Sequence, residues 1–256
     1  MTKAYHIGHA AASGIEAVEL AICGMTASND ALESDQGFLR SFSPDGDVDR
    51  DTPAFSHETS HIERLGISIK HYPVCYAAHR VIDAARSIAS GFDLAVDDIK
   101  HVEVRIGASQ AGMLKYRHPK NSTEARFSLE FAVACALYKR NVVLEDMKEP
   151  WLAHPAIQRL IDATTVLHDD SRSAYSNIFS EADSVLIHHV DGRKIGSNDI
   201  PYPRGSFKLP VRHEDLEQKF LDCAGSEAAG FYEYLVEFDK IASVSGIAEH
   251  YQGMRR

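Results

Sequence analysis

The segment KHYPVCYAAH, residues 70–79, brings together several side chains that can move protons or bind anions. Pro73 delays the start of the helix that follows, and Cys75 and His79, four positions apart, then share one face of that helix. Because a helix N-terminus lowers the pKa of a thiol, this spacing permits a thiolate–imidazolium pair for nucleophilic catalysis. The alternative is a small buried thiol beside a partly exposed histidine, since neither an oxyanion motif nor an orienting third residue is recognisable.

Three further residues carry charge at places where anions bind. Lys70 ends the alternating stretch ISIK, residues 67–70, which predicts a strand, and a cation at a strand end can bind a carboxylate in a cleft. Lys3 and His6 precede a predicted helix whose N-terminus favours anions. The alternatives are a solvated lysine at a strand end and a frayed chain terminus.

Other kinds of site are excluded by the pattern. His188 and His189 are adjacent on a predicted strand, so their rings face opposite ways and cannot chelate one metal. The four cysteines lie far apart without a CxxC pair, which argues against a zinc site and a disulfide framework. No Gly-rich phosphate loop, GxSxG elbow or HExxH motif occurs. A site in this chain therefore depends on charge placement and proton transfer, and we expect no metal.

The composition fits a cytoplasmic globular protein. The 256 residues are 44% hydrophobic and 25% charged, as in ordinary soluble domains. No run of about 18 apolar residues is present, and the first residues lack the apolar core of a signal peptide, so we expect no membrane partner. The formal charge of −10, with no lysine–arginine run, makes nucleic acid an improbable partner.

The elements that must position these residues follow one order along the chain. An apolar helix over 9–24 ends at Gly24, a short helix begins after Ser28, and the polar stretch 44–56 indicates a loop between domains. Later periodicities predict elements at 67–70 (strand), 75–92 (helix), 100–106 (strand), 122–140 (helix with Ser122 as N-cap), 151–162 (helix), 163–170 and 183–199 (strands, with a type I′ turn at Asp191–Gly192), and helices from 213 onward.

This order predicts the α+β class. Helices in one block and hairpin strands in another favour an all-helical domain interrupted by an inserted α+β domain. We place the helical domain at 1–61 and 207–256, incomplete at its N-terminus, and the inserted domain at 62–206. Because helix 9–24 is apolar around most of its circumference, we expect a covering element that these residues do not supply.

Three segments in this order resemble the MmgE/PrpD family, which includes 2-methylcitrate dehydratase, cis-aconitate decarboxylase and iminodisuccinate epimerase. They are KAYHIGHAAASGIEAVELA, IKHYPVCYAAHRVIDAA and EARFSLEFAVACAL, and the later HEDLEQKF is also similar. The resemblance implies a helical domain built from both chain ends, an inserted α+β domain and an active site between them. It also implies chemistry without metal or organic cofactor, in which a proton beside a substrate carboxylate is removed or added.

The resemblance suggests roles for particular residues. Lys3 and His6 match the family's K-x-x-H-x-G stretch, and Lys70 matches the lysine of its K-x-Y/F-P motif, so both lysines are expected to bind substrate carboxylates. His6 or His79 is then the proton-transfer candidate. Cys75 stands where the decarboxylase has a histidine, which disfavours decarboxylation.

Arg126 also occupies a position like that of the family, and we expect it to bind substrate. The resemblance thus favours a lyase of the 2-methylcitrate dehydratase type, as in propionate catabolism, acting on a small carboxylate. The alternatives are a dicarboxylate epimerase or isomerase, and an inactive remnant or interaction subunit. We further expect a homodimer, and, because the resemblance covers only the family's C-terminal half or so, a fragment or a subunit completed by a separately encoded N-terminal half.

Overall fold

A computed structural model describes residues 2–43, 60, 62–63, 66–92, 94–172, 178–241 and 243–254. The chain forms two compact units, residues 1–64 and 65–256. The boundary loop predicted over 44–56 lies outside the described residues. The assignment of 207–256 to one helical domain with 1–61 stays a prediction.

The first unit consists mainly of one long helix. Helix α1 spans Thr2–Ile22, and every one of its residues is exposed, including the apolar side chains of Ile7, Ile15 and Val18. It ends as predicted at Gly24, whose φ is +93°, with the amide of Met25 donating to the carbonyl of Leu20. A short helix α2, Phe38–Phe42, follows.

Two predictions for this unit are wrong. The helix begins at Thr2, so Lys3 and His6 lie inside α1 instead of preceding a helix. The residues after Ser28 form turns, because the Ser28 hydroxyl bonds to Asp30 two positions on and does not cap a helix.

The second unit combines helices with a single described sheet. Its helices are α3 His79–Gly91, α4 Ala108–Ala111, α5 Ser122–Ala125, α6 Leu129–Lys139, α7 Pro155–Ala163, α8 His213–Ala224, α9 Ala229–Val236 and α10 Val244–Met254. Its strands are β1 Ile99–Gly107, β2 Thr164–Asp169, β3 Ser184–His189 and β4 Lys194–Gly196. This mixture of helices and sheet is compatible with the predicted α+β class.

The sheet has the strand order β2-β1-β3-β4. Strand β1 pairs in parallel with β2 and antiparallel with β3, and β4 forms a hairpin with β3. The alternation predicted for β1 is confirmed, because Val102, Val104 and Ile106 are fully buried on one face. In the hairpin turn only Gly192 has a positive φ, so the type I′ turn expected at Asp191–Gly192 is wrong.

The core lies between the sheet and a helical layer. Helices α3 and α7 pack on the sheet, and α6 packs against both of them. Every residue from Leu129 to Leu137 is buried, as expected for a helix enclosed on all sides. Among the described residues no helix has the length and apolarity needed to cross a membrane.

The single helix predicted over 122–140 is divided in the structure. Asn121, not Ser122, caps α5 by accepting from the amides of Thr123 and Glu124. Ser128 then caps α6 by accepting from the amide of Phe131. Because Ser128 starts a new helix, the chain turns sharply at Arg126 and Phe127 between the two helices.

Candidate active site

The Lys70 segment, residues 66–75, has no regular secondary structure, so the strand predicted for ISIK is wrong. Its backbone is held by distant loops instead of a sheet. The amide of Ile69 donates to the carbonyl of Gly205 at 2.7 Å, and the amide of Cys75 donates to the carbonyl of Arg126 at 2.8 Å. Long-range contacts therefore determine the position of this segment. For this reason the local alternation of ISIK predicted a strand that does not form.

Two cationic residues meet this segment around Cys75. Lys70 is exposed, and its Nζ donates to the carbonyl of Val74 at 3.4 Å. Arg126 is exposed as well, and its carbonyl holds the Cys75 amide. The structure thus brings Lys70, half-buried Cys75 and the backbone of Arg126 into one region of the second unit.

A buried phenol fixes the centre of the segment. Tyr72 is only 1% exposed, and its hydroxyl donates to Asp83 Oδ1 and accepts from Arg86 at 2.8 Å. Burial, with the charge of Asp83 after it, raises the pKa of Tyr72, so the phenol stays protonated. Asp83 and Arg86 were not predicted as site residues, because nothing in the spacing of α3 indicates that they face Tyr72.

His79 lies beneath this surface, not on it. It has no exposed surface, and its ring centroid lies 5.1 Å from that of Tyr72 and 5.0 Å from that of Tyr76. Burial, and after it the positive charge of Lys70, lowers the pKa of His79 to about 3, although hydrogen bonding to the backbone of Val74 and Tyr72 opposes this effect. His79 is therefore neutral at neutral pH, which contradicts the thiolate–imidazolium pair with Cys75. Its role in proton transfer stays a prediction.

A small cavity of about 120 Å³ lies behind the segment. It is lined by His71 and Pro73 from the segment, Arg86 from α3, and Asp215 and Lys219 from α8. Burial lowers the pKa of His71 although the charge of Asp215 opposes this effect. The segment that carries Lys70 is therefore in contact with both α3 and α8.

The other predicted residues belong to other elements of the chain. Lys3 and His6 are exposed, one turn apart on α1, in the first unit, and their roles stay predictions. His188 and His189 alternate between half-buried and buried on β3, as predicted. Within the described ranges no three histidine, cysteine or acidic side chains form a group that could hold a metal ion.

Comparison with known proteins shows the family of the chain. The model of the MmgE/PrpD C-terminal domain matches residues 72–229, which is more than half of the chain. Human cis-aconitate decarboxylase is 25% identical over 228 residues, covering 86% of this chain, and the mouse protein is 24% identical over 229 residues. The chain spans 45% of the length of each of these relatives. Because this match covers more than half of the chain, the chain belongs to the MmgE/PrpD family.

Proposed function

We propose that this chain carries the substrate-carboxylate site of a lyase that acts on small di- or tricarboxylates without a cofactor. The observation that supports it most is the placement of exposed Lys70 beside Cys75 and Arg126, on a segment fixed by distant loops. The curated relatives, named for a reaction of cis-aconitate, support the substrate class.

The chemistry would use these charges directly. Removing a proton beside a carboxylate develops enediolate-like negative charge, which a fixed cation stabilises more than it stabilises the ground state. Loss of one such contact costs roughly 3–4 kcal/mol of barrier in other enzymes. In this proposal Lys70 and Arg126 hold substrate carboxylates, and the roles expected of Lys3, His6 and His79 stay predictions.

Within this class we propose dehydration of the 2-methylcitrate type. Cys75 stands in the half-buried position beside Lys70, where a thiol offers no imidazole to take part in decarboxylation. A dicarboxylate epimerase is the second candidate, because it needs the same base and cations but no leaving group.

The complete enzyme, in this proposal, includes further chain. Helix α1 exposes all of its residues, and an apolar helix of this kind is normally covered. We propose that a helical region, from a separate chain or a longer form of this one, covers α1, and that the assembly is a cytoplasmic homodimer. The curated relatives, of which the chain spans 45%, have additional length that would serve.

A proton NMR time course in D₂O tests the reaction. The purified chain is offered 2-methylcitrate, citrate, cis-aconitate and simple dicarboxylates, with Lys70→Ala and Lys100→Ala as test and control variants, Lys100 being exposed on β1. A new alkene signal from 2-methylcitrate or citrate, with no carbon dioxide released, indicates dehydration. A new alkene signal from cis-aconitate, with carbon dioxide released in a parallel assay, indicates decarboxylation, and deuterium uptake without a new alkene signal indicates epimerisation. Activity lost in Lys70→Ala and kept in Lys100→Ala supports the proposal.

A second arm tests the missing region. The same panel is repeated after adding the separately expressed N-terminal region of a relative, the part that this chain does not match. Activity that requires the addition supports the completed assembly, whereas full activity of the chain alone refutes it. If folded protein converts no substrate in either experiment, the lyase proposal is wrong and a binding role or an inactive remnant is favoured.

A further inference from the structure

We infer that Asp83 is a positioning residue that sets the location of Lys70. The Asp83 carboxylate accepts hydrogen bonds from the Tyr72 hydroxyl and from the Arg204 amide. We call this set of three groups the Asp83 bridge. This inference rests on the proposed function for its effect on substrate, but its structural content is tested separately below.

The bridge closes a ring of contacts around Lys70. Asp83 Oδ1 accepts from Tyr72, two residues after Lys70, and Asp83 Oδ2 accepts from the Arg204 amide at 2.6 Å. The next residue, Gly205, accepts from the amide of Ile69, the residue before Lys70, at 2.7 Å. One carboxylate on α3 therefore holds the chain on both sides of the lysine.

Gly205 shows how closely the two loops approach. Its φ is +88°, and a Cβ at this position would lie 2.1 Å from the carbonyl oxygen of Ile69. Only glycine permits this approach without displacement. The position of Ile69 is thus set by the 204–205 loop, and that loop is in turn tied to α3 through Asp83.

The phenol in the bridge is held from a second side. Arg86, one turn after Asp83 on α3, donates to the Tyr72 hydroxyl at 2.8 Å and to the carbonyl of Arg140 at 2.9 Å. Its guanidinium also lies 5.6 Å from the centre of the Tyr72 ring. The Tyr72 hydroxyl therefore donates to Asp83 and accepts from Arg86, and the two hydrogen bonds together fix its position and orientation.

Lys70 depends on this support because its own side chain has little. The contact described for its Nζ is a single long hydrogen bond to Val74, and the side chain is exposed. A cation with so few contacts is located by its backbone, and catalytic or binding groups lose much of their effect when displaced by about 1 Å. Asp83 therefore acts on substrate through Lys70, without touching substrate itself.

Asp83→Asn and Tyr72→Phe test the bridge. Asparagine turns an N–H group toward one of the two donors, and phenylalanine keeps the buried ring while removing its hydroxyl. We expect each to lower kcat/KM for the carboxylate substrate roughly tenfold, as for a weakened charged hydrogen bond, because a displaced Lys70 stabilises the developing negative charge less well. Asp97→Asn, at a side chain that is 97% exposed, is the control and should leave kcat/KM unchanged.

The double variant gives a stricter criterion. Because both substitutions weaken the same bridge, Asp83→Asn with Tyr72→Phe should lower kcat/KM by less than the product of the two single effects. Effects that multiply, or a kcat/KM that stays unchanged in both single variants, would overturn the positioning role.

A readout at Lys70 separates this inference from the proposed function. With lysine labelled at ¹³Cε, the Lys70 signal and the hydrogen exchange of the Ile69 amide should both change in Asp83→Asn and stay as they are in Asp97→Asn. If they change although the unaltered protein binds no carboxylate, the bridge stands and the proposed function fails. If they do not change in a folded variant, the bridge does not position Lys70.

Discussion

Acidification should destabilise the second unit through His79. The imidazole is completely buried, and its pKa is lowered from 6.5 to about 3 by burial and by the charge of Lys70. Between these two pKa values the unfolded chain binds a proton at His79 and the folded chain does not. The free energy of unfolding therefore falls as the pH falls from 6.5 toward 3.

The size of this effect follows from linkage. Each pH unit inside the window changes the free energy of unfolding by about 1.4 kcal/mol, so lowering the pH from 7 to 5 removes about 2 kcal/mol through His79 alone. That is a large fraction of the ~5–15 kcal/mol that stabilises a typical domain.

The assay is urea unfolding at pH 7, 6 and 5, followed by the fluorescence of Trp151, the single tryptophan of the chain. His79→Phe keeps a ring between Tyr72 and Tyr76 but cannot titrate. Because all other histidines are present in both proteins, the difference in pH dependence isolates His79. A wild-type protein that loses no more than the variant, within about 0.5 kcal/mol, would refute the reasoning that burial keeps this imidazole neutral.

Three substitutions test the packing around the site. Asp183→Asn should lower the free energy of unfolding by about 3–5 kcal/mol in urea titrations, because it leaves the buried Arg80 guanidinium without its counter-charge; a loss below 1 kcal/mol would contradict this. Gly205→Ala should lower the melting temperature more than Gly192→Ala, since both have positive φ but only Gly205 meets a backbone atom, and equal losses would argue against that contact. Ser128→Ala should cost about 1 kcal/mol in chemical denaturation through loss of the α6 cap, and an unchanged midpoint would show that the cap contributes nothing.

Local patterns predicted the elements whose structure is decided locally. Strand β1 followed from the alternation of Val102, Val104 and Ile106, because only one face of it meets the helices. The end of α1 followed from Gly24, since a left-handed residue there closes the last turn. In both cases the information lies within a few neighbouring residues.

Predictions failed where distant contacts decide the structure. The ISIK stretch alternates like a strand, yet Ile67 is 68% exposed and the Ile69 amide pairs with a loop residue, Gly205, far along the sequence. The break in the helix over 122–140 required knowing that Ser128 points its hydroxyl at an amide of the following turn. Helix propensity alone favoured one continuous helix over 122–140.

For the candidate site, the sequence indicated candidate residues but not the contacts that support them. Lys70, Cys75 and Arg126 were identified from residue type and resemblance; the structure places the Arg126 carbonyl against the Cys75 amide, and their roles stay predictions. The support behind them was not predicted, because Asp83 and the 204–205 loop meet Tyr72 only in the folded chain. The burial of His79 was not predicted either, because its four-residue spacing from Cys75 suggested that the two side chains share an exposed helix face.

Carboxylate binding at Lys70 is the central claim, and it can be measured without catalysis. In protein carrying lysine labelled at ¹³Cε, the signals of Lys70 and of the exposed control Lys100 are followed by NMR while 2-methylcitrate is added. We predict a saturable shift of the Lys70 signal, with Lys100 unchanged and the shift reduced in Asp83→Asn. A Lys70 signal that stays constant up to millimolar ligand, or moves only in parallel with Lys100, would contradict the account.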